Sequence, residues 1–169
     1  MIKPLMSDEL NRRMVAILQQ EGRTSHAELA ERLGVSRPTI IERIKRLEAE
    51  GVIEGYSARV SPASVGKPNV AFVAVRHRAG DDDALEAALL EALRREPDVL
   101  ECHTMAGDDC LLLKVVAENP MGLNLLLKRI RSMGDTVSTK TTMALATHFV
   151  KPGPSPFPAV AVPAGRPKA

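Results

Sequence analysis

The sequence predicts an α+β protein in two parts, a helical N-terminal part and a C-terminal part in which strands and helices alternate. Residues 8–55 repeat apolar side chains three or four positions apart, which is the period of an amphipathic helix. Residues 56–150 instead hold short β-branched or alternating runs, with helical patterns between them. The order of these runs is β-α-β-β-α-β, which predicts the ferredoxin-like arrangement.

Three helices are predicted in the N-terminal part. Their apolar patterns lie around Leu10–Leu18, Leu29–Leu33 and Ile40–Leu47. Polar breaks at residues 22–25 and 34–36 separate them, and Gly51 follows the third pattern where a C-terminal cap is expected. The three helices are therefore short and joined by tight turns.

The second and third of these helices have the spacing of a helix-turn-helix. Such a motif needs a small residue where its helices cross, a glycine at the turn and an apolar residue that seals the pair. Ala30, Gly34 and Ile40 fill these three positions. Ser36 is placed to cap the second helix of the motif, and Pro38 falls in its first turn, where a missing backbone donor does little harm.

Positive charge is concentrated on that second helix. Val35 to Arg46 contains four cations and one acid, whereas residues 1–60 contain ten cations and nine acids and the whole chain has a formal net charge of only +2. A local positive face on this helix suits insertion into the major groove of DNA. Taken alone, the charge pattern would also fit a solvated face on an ordinary three-helix unit.

The predicted DNA contacts follow from this face. We assign base-edge or near-edge contacts to Ser36, Thr39 and Arg43, and mainly phosphate contacts to Arg37, Lys45 and Arg46. Further candidates are Arg23 and Thr24, just before the middle helix, and Pro38 in the first turn.

Four strands and two helices are predicted in the C-terminal part. The strands are Val70–His77, Val99–Met105, Leu111–Ala117 and Val137–His148, and the helices are Asp83–Arg95 and Met121–Met133. Asp81, Asp82 and Asp83 suit the positive end of the first helix. Both helices are expected on one face of an antiparallel sheet, so the other face is left for a ligand or for a second copy of the chain.

Composition argues against several other classes of protein. One Tyr, three Phe and no Trp are too few aromatic rings for a single-strand or RNA stacking platform. No apolar run approaches the roughly 20 residues of a membrane span and the N-terminus does not resemble a signal peptide, so we expect a cytoplasmic protein without a membrane partner. No phosphate-binding loop, nucleophile elbow or zinc signature is present, so no catalytic residue, metal or cofactor is predicted.

The two cysteines support a weaker alternative. Cys102 and Cys110 lie equidistant from Ala106 and would face each other across a hairpin, which suggests a redox switch or, with His103, part of a metal site. Metal-ligand spacing is lacking, however, and thiols in strands usually act as small hydrophobes.

Three stretches carry a family resemblance. They are residues 22–66 (GRTSHAELAERLGVSRPTIIERIKRLEAEGVIEGYSARVSPASVG), residues 106–115 (AGDDCLLLKV) and residues 139–145 (TKTTMAL). Together they resemble the Lrp/AsnC family of feast/famine transcriptional regulators.

The resemblance implies a domain plan. Residues 1–55 would form a winged helix-turn-helix, 56–68 a linker strand centred near Tyr56–Val60, and 69–150 a βαββαβ effector domain of the RAM or AsnC type. In the family such domains dimerise through their sheets and often assemble into octamers. Residues 151–169 hold six of the twelve prolines and three cations without an acid, which predicts a disordered, basic tail.

The resemblance also implies a small-molecule effector, such as an amino acid, bound between effector domains. The matching positions are Gly107, Asp108, Asp109 and Cys110 in the hairpin and Thr139, Thr141 and Thr142 in the last strand. The hairpin departs from the Gly-Asp-Tyr-Asp-Tyr of amino-acid sensors, because Cys110 replaces the second aspartate and both tyrosines are absent.

The leading prediction is a sequence-specific regulator that binds double-stranded DNA as a homodimer or higher oligomer and responds to a small molecule. One alternative is an architectural protein that wraps DNA without a ligand response. The other is an enzyme like the sirohaem decarboxylases that resemble this family.

Overall fold

The computed structural model describes residues 4–78, 83–107, 110–134 and 136–157. The chain forms two compact units: Met1–Ala58 grouped with the segment that begins at Phe149, and Arg59–His148. Each unit has its own apolar core.

Three helices form the first unit, after a 3-10 turn at Pro4–Ser7. They are α1 (Glu9–Gln20), α2 (His26–Leu33) and α3 (Arg37–Ala49). A short polar side chain precedes each helix and accepts hydrogen bonds from its first turn: Asp8 for α1, Ser25 for α2 and Ser36 for α3. These caps satisfy backbone N–H groups that have no partner within the helix, so each helix begins where its cap stands.

The predicted helix-turn-helix is confirmed. Ala30 is buried where α2 meets α3, and Ile40 is fully buried beside Leu29. Gly34 ends α2 with φ of +68°, a left-handed conformation that a side chain would strain. The backbone N–H of Val35 then donates to the Ala30 carbonyl at 3.1 Å, which closes the turn.

The expected linker strand near Tyr56–Val60 is not formed in the single chain. Residues 54–61 have neither helix nor strand, and a 3-10 turn follows at Ala63–Val65. An extended segment becomes a strand only when a neighbour supplies hydrogen bonds, and the sheet of the described chain contains four other strands.

The second unit has the predicted β-α-β-β-α-β order. Its elements are β1 (Asn69–His77), α4 (Asp83–Arg95), β2 (Val99–Thr104), β3 (Leu111–Ala117), α5 (Pro120–Arg131) and β4 (Thr136–Ala144). The strands pair antiparallel in the spatial order β2-β3-β1-β4. Strand β4 ends four residues before the predicted end at His148.

Both helices of this unit pack on one face of the sheet. The core brings together alternate residues of β1 and β3, such as Val73 and Leu113, with Leu93 of α4 and Leu126 of α5. The intervening residues face the other side, where Phe72 remains 40% exposed. The predicted bare face is therefore present in the single chain.

The C-terminal segment departs from the prediction of a disordered tail at 151–169. Residues 149–157 belong to the first unit, where the Gln19 side chain donates from Nε2 to the Pro154 carbonyl at 2.9 Å. A Cβ at Gly153 would lie 2.7 Å from the same Nε2, so this segment lies close against α1. Residues 158–169 lie outside the described part of the chain.

Among the helices of the described residues, none combines the length and the apolar character that crossing a bilayer requires. Within those same ranges, no group of three or more His, Cys, Asp or Glu side chains is arranged to hold a metal ion.

Candidate nucleic-acid interface and effector region

Helix α3 is fixed to the first unit along one side. Ile40, Ile44 and Leu47 recur at helical spacing and are buried against α1 and α2. The side of α3 opposite this stripe therefore faces solvent.

The N-terminal end of α3 is held by two hydroxyls. Ser36 Oγ accepts from the Thr39 backbone N–H at 3.3 Å and lies 2.8 Å from Thr39 Oγ1. Ser36 is exposed and Thr39 half-buried, and Pro38 occupies the first turn as predicted. Both predicted base-contact hydroxyls thus also serve the helix cap.

The three residues of α3 that are predicted to contact phosphates have exposed cationic side chains. Arg37, Lys45 and Arg46 are exposed, and none of them forms an ion pair with a residue that the structure describes. A cation without an acidic partner gives up no internal ion pair when it meets a phosphate.

Arg43, for which a base contact is predicted, is hydrogen-bonded within the first unit. Its Nη1 donates to Asp8 Oδ2 at 2.7 Å and to Asn11 Oδ1 at 2.8 Å, and the side chain is only 31% exposed. Arg43 lies at the border of the apolar stripe, on the side that meets α1, so its guanidinium reaches the adjacent helix. The Arg43 hydrogen bond holds the pKa of the Asp8 carboxyl below its usual value.

Asp8 and Asn11 are functional candidates that the sequence analysis missed. Asp8 caps α1, and Asn11 is 3% exposed within the helix. A cap signal before the first helix could have identified Asp8, but its partner is 35 positions away along the chain. Together with Thr39, Glu42, Arg43 and Arg46, these two residues line a groove of about 460 Å³.

The turn before α2 supplies the other predicted contacts. Arg23 is exposed, whereas Thr24 donates its hydroxyl to the Glu21 carbonyl at 2.7 Å and shapes the turn. Arg32 is a cation of a different kind, because its Nη1 bonds Glu21 Oε2 at 2.8 Å. That bond lowers the pKa of Glu21 and raises the pKa of Arg32. The Arg32 guanidinium is therefore already ion-paired within the first unit.

The predicted effector residues do not converge on one face of the sheet. Thr139 and Thr141 pair with Val75 and Val73, whose side chains face the helices, whereas Thr142 pairs with Phe72 on the bare face. Thr139 Oγ1 also accepts from Arg131 Nε at 3.0 Å. The three threonines were assigned because they match the Thr-rich last strand of the family, but the successive residues Thr141 and Thr142 point to opposite faces of the strand.

The hairpin residues are only partly described. Gly107 has φ of +131°, a conformation that favours glycine, and Cys110 Sγ lies 3.7 Å from the His77 carbonyl oxygen. Asp108 and Asp109 lie outside the described residues.

The proposed facing of the two cysteines is wrong. Cys102 pairs with Leu113, whereas the Cys110 carbonyl accepts from the Met105 backbone N–H at 2.8 Å. The hairpin is centred later than Ala106, which shifts the register. Partial burial raises the pKa of the Cys102 thiol, although the residue as a whole is exposed.

Comparison with known proteins agrees with both units. Residues 7–54 match a family model described as winged helix-turn-helix DNA-binding, and residues 70–154 match the Lrp/AsnC ligand binding domain. The chain is 37% identical over 144 residues to the HTH-type transcriptional regulator LrpA of Mycobacterium tuberculosis, covering 84% of this chain and 92% of LrpA. It is 32% identical over 141 residues to the regulator FL11 of Pyrococcus abyssi, covering 83% and 91% of the two chains.

A solved structure agrees with these relatives. The feast or famine regulatory protein of Mycobacterium tuberculosis, complexed with L-methionine, is similar with a TM-score of 0.77 and 33% identity over 85% of this chain and 95% of the other. These relatives are named as regulators, which favours a regulator over the decarboxylase-like alternative. With its capped helix-turn-helix, its exposed cations and its four-stranded antiparallel effector domain, the chain belongs to the Lrp/AsnC family of DNA-binding transcriptional regulators.

Proposed function

We propose that this regulator recognises specific DNA sequences as a homodimer and that an amino acid or related small molecule changes its DNA binding. The observation that carries the DNA part is the set of exposed cations on α3, Arg37, Lys45 and Arg46, which have no acidic partner in the described chain. All three are exposed, on a helix whose apolar side packs into the first unit, and Lys45 and Arg46 lie on the side away from that packing.

The chemistry of these cations suits the DNA backbone and the groove. A cation that neutralises a phosphate releases a condensed counterion, so the affinity falls as the salt concentration rises. Ser36 and Thr39 lie at the N-terminal end of α3, the part of a recognition helix that meets base edges. Sequence preference would come from that end, while Lys45, Arg46 and Arg37 set the register on the backbone.

Dimerisation is proposed through the bare face of the sheet. Phe72 and Leu112 lie on that face in neighbouring strands, and Lys114 and Glu101 pair across it at 2.7 Å. A partly apolar face that its own helices leave open is well suited to a second copy of the chain. A dimer would also read two half-sites, which a single recognition helix does not.

An effector response is proposed from the ligand-binding family model at residues 70–154 and from the relative bound to L-methionine. The candidate residues remain Gly107, Asp108, Asp109 and Cys110 of the hairpin with Thr139, Thr141 and Thr142 of β4. A ligand changes DNA binding only if it has unequal affinity for the two arrangements of the assembly.

The DNA proposal is tested by selecting an operator from a randomised duplex library and measuring affinity by fluorescence anisotropy across a salt series. Lys45→Ala and Arg46→Ala should each weaken binding and lower the salt slope by about 1.8, since each variant removes one phosphate contact of about 0.9 from both subunits of the proposed dimer. Arg94→Ala, an exposed cation of the other unit, is the matched control and should change neither value. Equal effects in all three variants would refute the assignment to α3.

The effector proposal is tested by thermal shift against a panel of amino acids that includes L-methionine, followed by operator titrations with each hit. A stabilising ligand that also changes operator affinity supports the proposal. Unchanged melting and unchanged affinity across the panel would instead favour the architectural alternative, which the altered hairpin sequence at Gly107–Leu111 already suggests.

A further inference from the structure

Among the contacts of the described residues, Arg43 is the one cation of α3 that is hydrogen-bonded to side chains at the start of α1. Its Nη1 lies 2.7 Å from Asp8 Oδ2 and 2.8 Å from Asn11 Oδ1, so a single nitrogen bridges two side chains of the α1 region. Arg37, Lys45 and Arg46, on the same helix, have no comparable partner among the described residues. The same helix thus carries cations of two kinds, exposed and bridging.

The acceptors are themselves anchored. Asp8 Oδ1 accepts from the backbone N–H of Leu10 at 2.8 Å and of Asn11 at 3.2 Å, so one carboxylate caps α1 with one oxygen and binds Arg43 with the other. Asn11 Nδ2 donates to the Leu5 carbonyl at 2.8 Å while its Oδ1 accepts from Arg43. The amide is nearly buried and both of its ends are used, so it has one orientation.

This arrangement couples the start of α1 to the middle of α3. Apolar packing by Ile40, Ile44 and Leu47 fixes the depth of α3, but a stripe of aliphatic side chains tolerates a small rotation about the helix axis. Hydrogen bonds from a planar guanidinium to two fixed oxygens are directional and limit that rotation. The rotation of α3 decides which side chains face base edges.

We infer that Arg43 is a positioning residue: with Asp8 and Asn11 it sets the rotation of the recognition helix and thereby the base discrimination of the side chains on its exposed face. The inference rests on the proposed DNA-binding function. It assigns to Asp8 and Asn11, outside the helix-turn-helix, a part in specificity, and it removes Arg43 from the set of direct base readers.

The test uses the full chain and a double-mutant cycle. Asp8→Ser keeps a residue that caps helices well but removes the second carboxylate oxygen, and Arg43→Gln removes the cation. Glu9→Ser is the matched control, because Glu9 is also an acid at the start of α1 but pairs with Arg12 instead of α3. Affinities for the selected operator and for random duplex are measured across a salt series, and thermal unfolding checks that each variant is folded.

Positioning predicts that Asp8→Ser and Arg43→Gln each reduce the ratio of operator to random affinity by roughly ten-fold per half-site, the scale of one lost base contact. The double variant should lose no more than either single variant, and the salt slope should stay at the wild-type value. Glu9→Ser should leave the ratio unchanged, and Arg43→Lys should recover part of it.

Other outcomes overturn the inference. If Arg43 read a base itself, Arg43→Gln would lower the ratio while Asp8→Ser, which frees the guanidinium, would maintain or raise it. If Arg43 bound a phosphate, Arg43→Gln would weaken operator and random duplex equally and reduce the salt slope by about 1.8, that is by about 0.9 for each subunit of the dimer. A wild-type protein that does not discriminate operator from random duplex would refute the proposed function itself, a result separate from either variant pattern.

Discussion

Phe72 offers a direct test of the proposed pairing of two copies of this chain through the bare face of the sheet. The side chain lies on the bare face of the sheet in β1, flanked across the strands by Lys114 of β3 and Thr142 of β4, and is 40% exposed. A phenylalanine side chain has roughly 200 Å² of surface, so about 80 Å² is open on each chain. In a two-fold dimer both copies bury this area, since the same patch meets itself.

The expected loss follows from that area. Burial of about 160 Å² at about 25 cal/mol per Å² amounts to about 4 kcal/mol per dimer, or roughly a thousand-fold in the dissociation constant. Phe72→Ala should therefore weaken dimerisation by up to that factor, while the monomer keeps its fold because the residue lies outside the helix-covered core.

Sedimentation equilibrium over a range of protein concentrations measures this change, and far-UV circular dichroism checks the fold. Leu125→Ala is the matched control, since Leu125 is 49% exposed on α5, which packs on the opposite face of the sheet. An unchanged dissociation constant for Phe72→Ala, or an equal change in both variants, would refute pairing through the bare face.

Three further predictions concern stability, measured by urea unfolding. Leu47→Ala should cost about 2–5 kcal/mol, because Leu47 is fully buried in the first core, and the loss should appear in the transition of the first unit. Gly34→Ala should cost about 1–2 kcal/mol through backbone strain alone, since a Cβ there meets no atom within 4 Å, and Gly34→Asn should cost less; equal losses would contradict the reasoning. Glu96→Gln should cost about 2 kcal/mol at neutral pH, because it removes one partner of the two-bond pair with the half-exposed Arg129. The Arg129 hydrogen bond lowers the pKa of Glu96 below its ordinary 4.5. The stabilisation by this pair is therefore complete above pH 4.5 and is lost as the pH falls through the lowered pKa. A difference in unfolding free energy between wild type and variant that does not shrink in acid would contradict this reasoning.

The helices and strands were largely predictable from local pattern. Helix α4 was predicted with the bounds that the structure has, Asp83–Arg95, and the caps at Ser36 and Gly34 follow from short-range chemistry within one turn. The order of strands and helices along the chain was predictable because strand segments and helical segments have different apolar periods. The end of β4 was predicted at His148, beyond its observed end at Ala144, because the alternating pattern in the sequence continues after the pairing with β1 has ended.

The candidate sites were less predictable. The exposed cations Lys45 and Arg46 were found because helical periodicity identifies the face opposite the apolar stripe, whereas Arg37 was found from the excess of cations between Val35 and Arg46. Thr139, Thr141 and Thr142 were assigned from the family resemblance, although the pleat of β4 separates them onto two faces. The cysteine prediction failed because the hairpin centre was placed at Ala106, whereas Thr104 pairs with Leu111.

The sequence by itself determined where each helix begins, which side of α3 is apolar, how charge is concentrated there and in what order the strands occur. These properties depend on residues within one or two turns of each other, so the periods of 3.6 and 2 encode them. Only the tertiary structure decided that Arg43 binds Asp8 and Asn11 instead of projecting into solvent, and that residues 149–157 lie against α1. These contacts join residues from 32 to 135 positions apart, and no local period specifies which distant side chains packing will bring within hydrogen-bond reach.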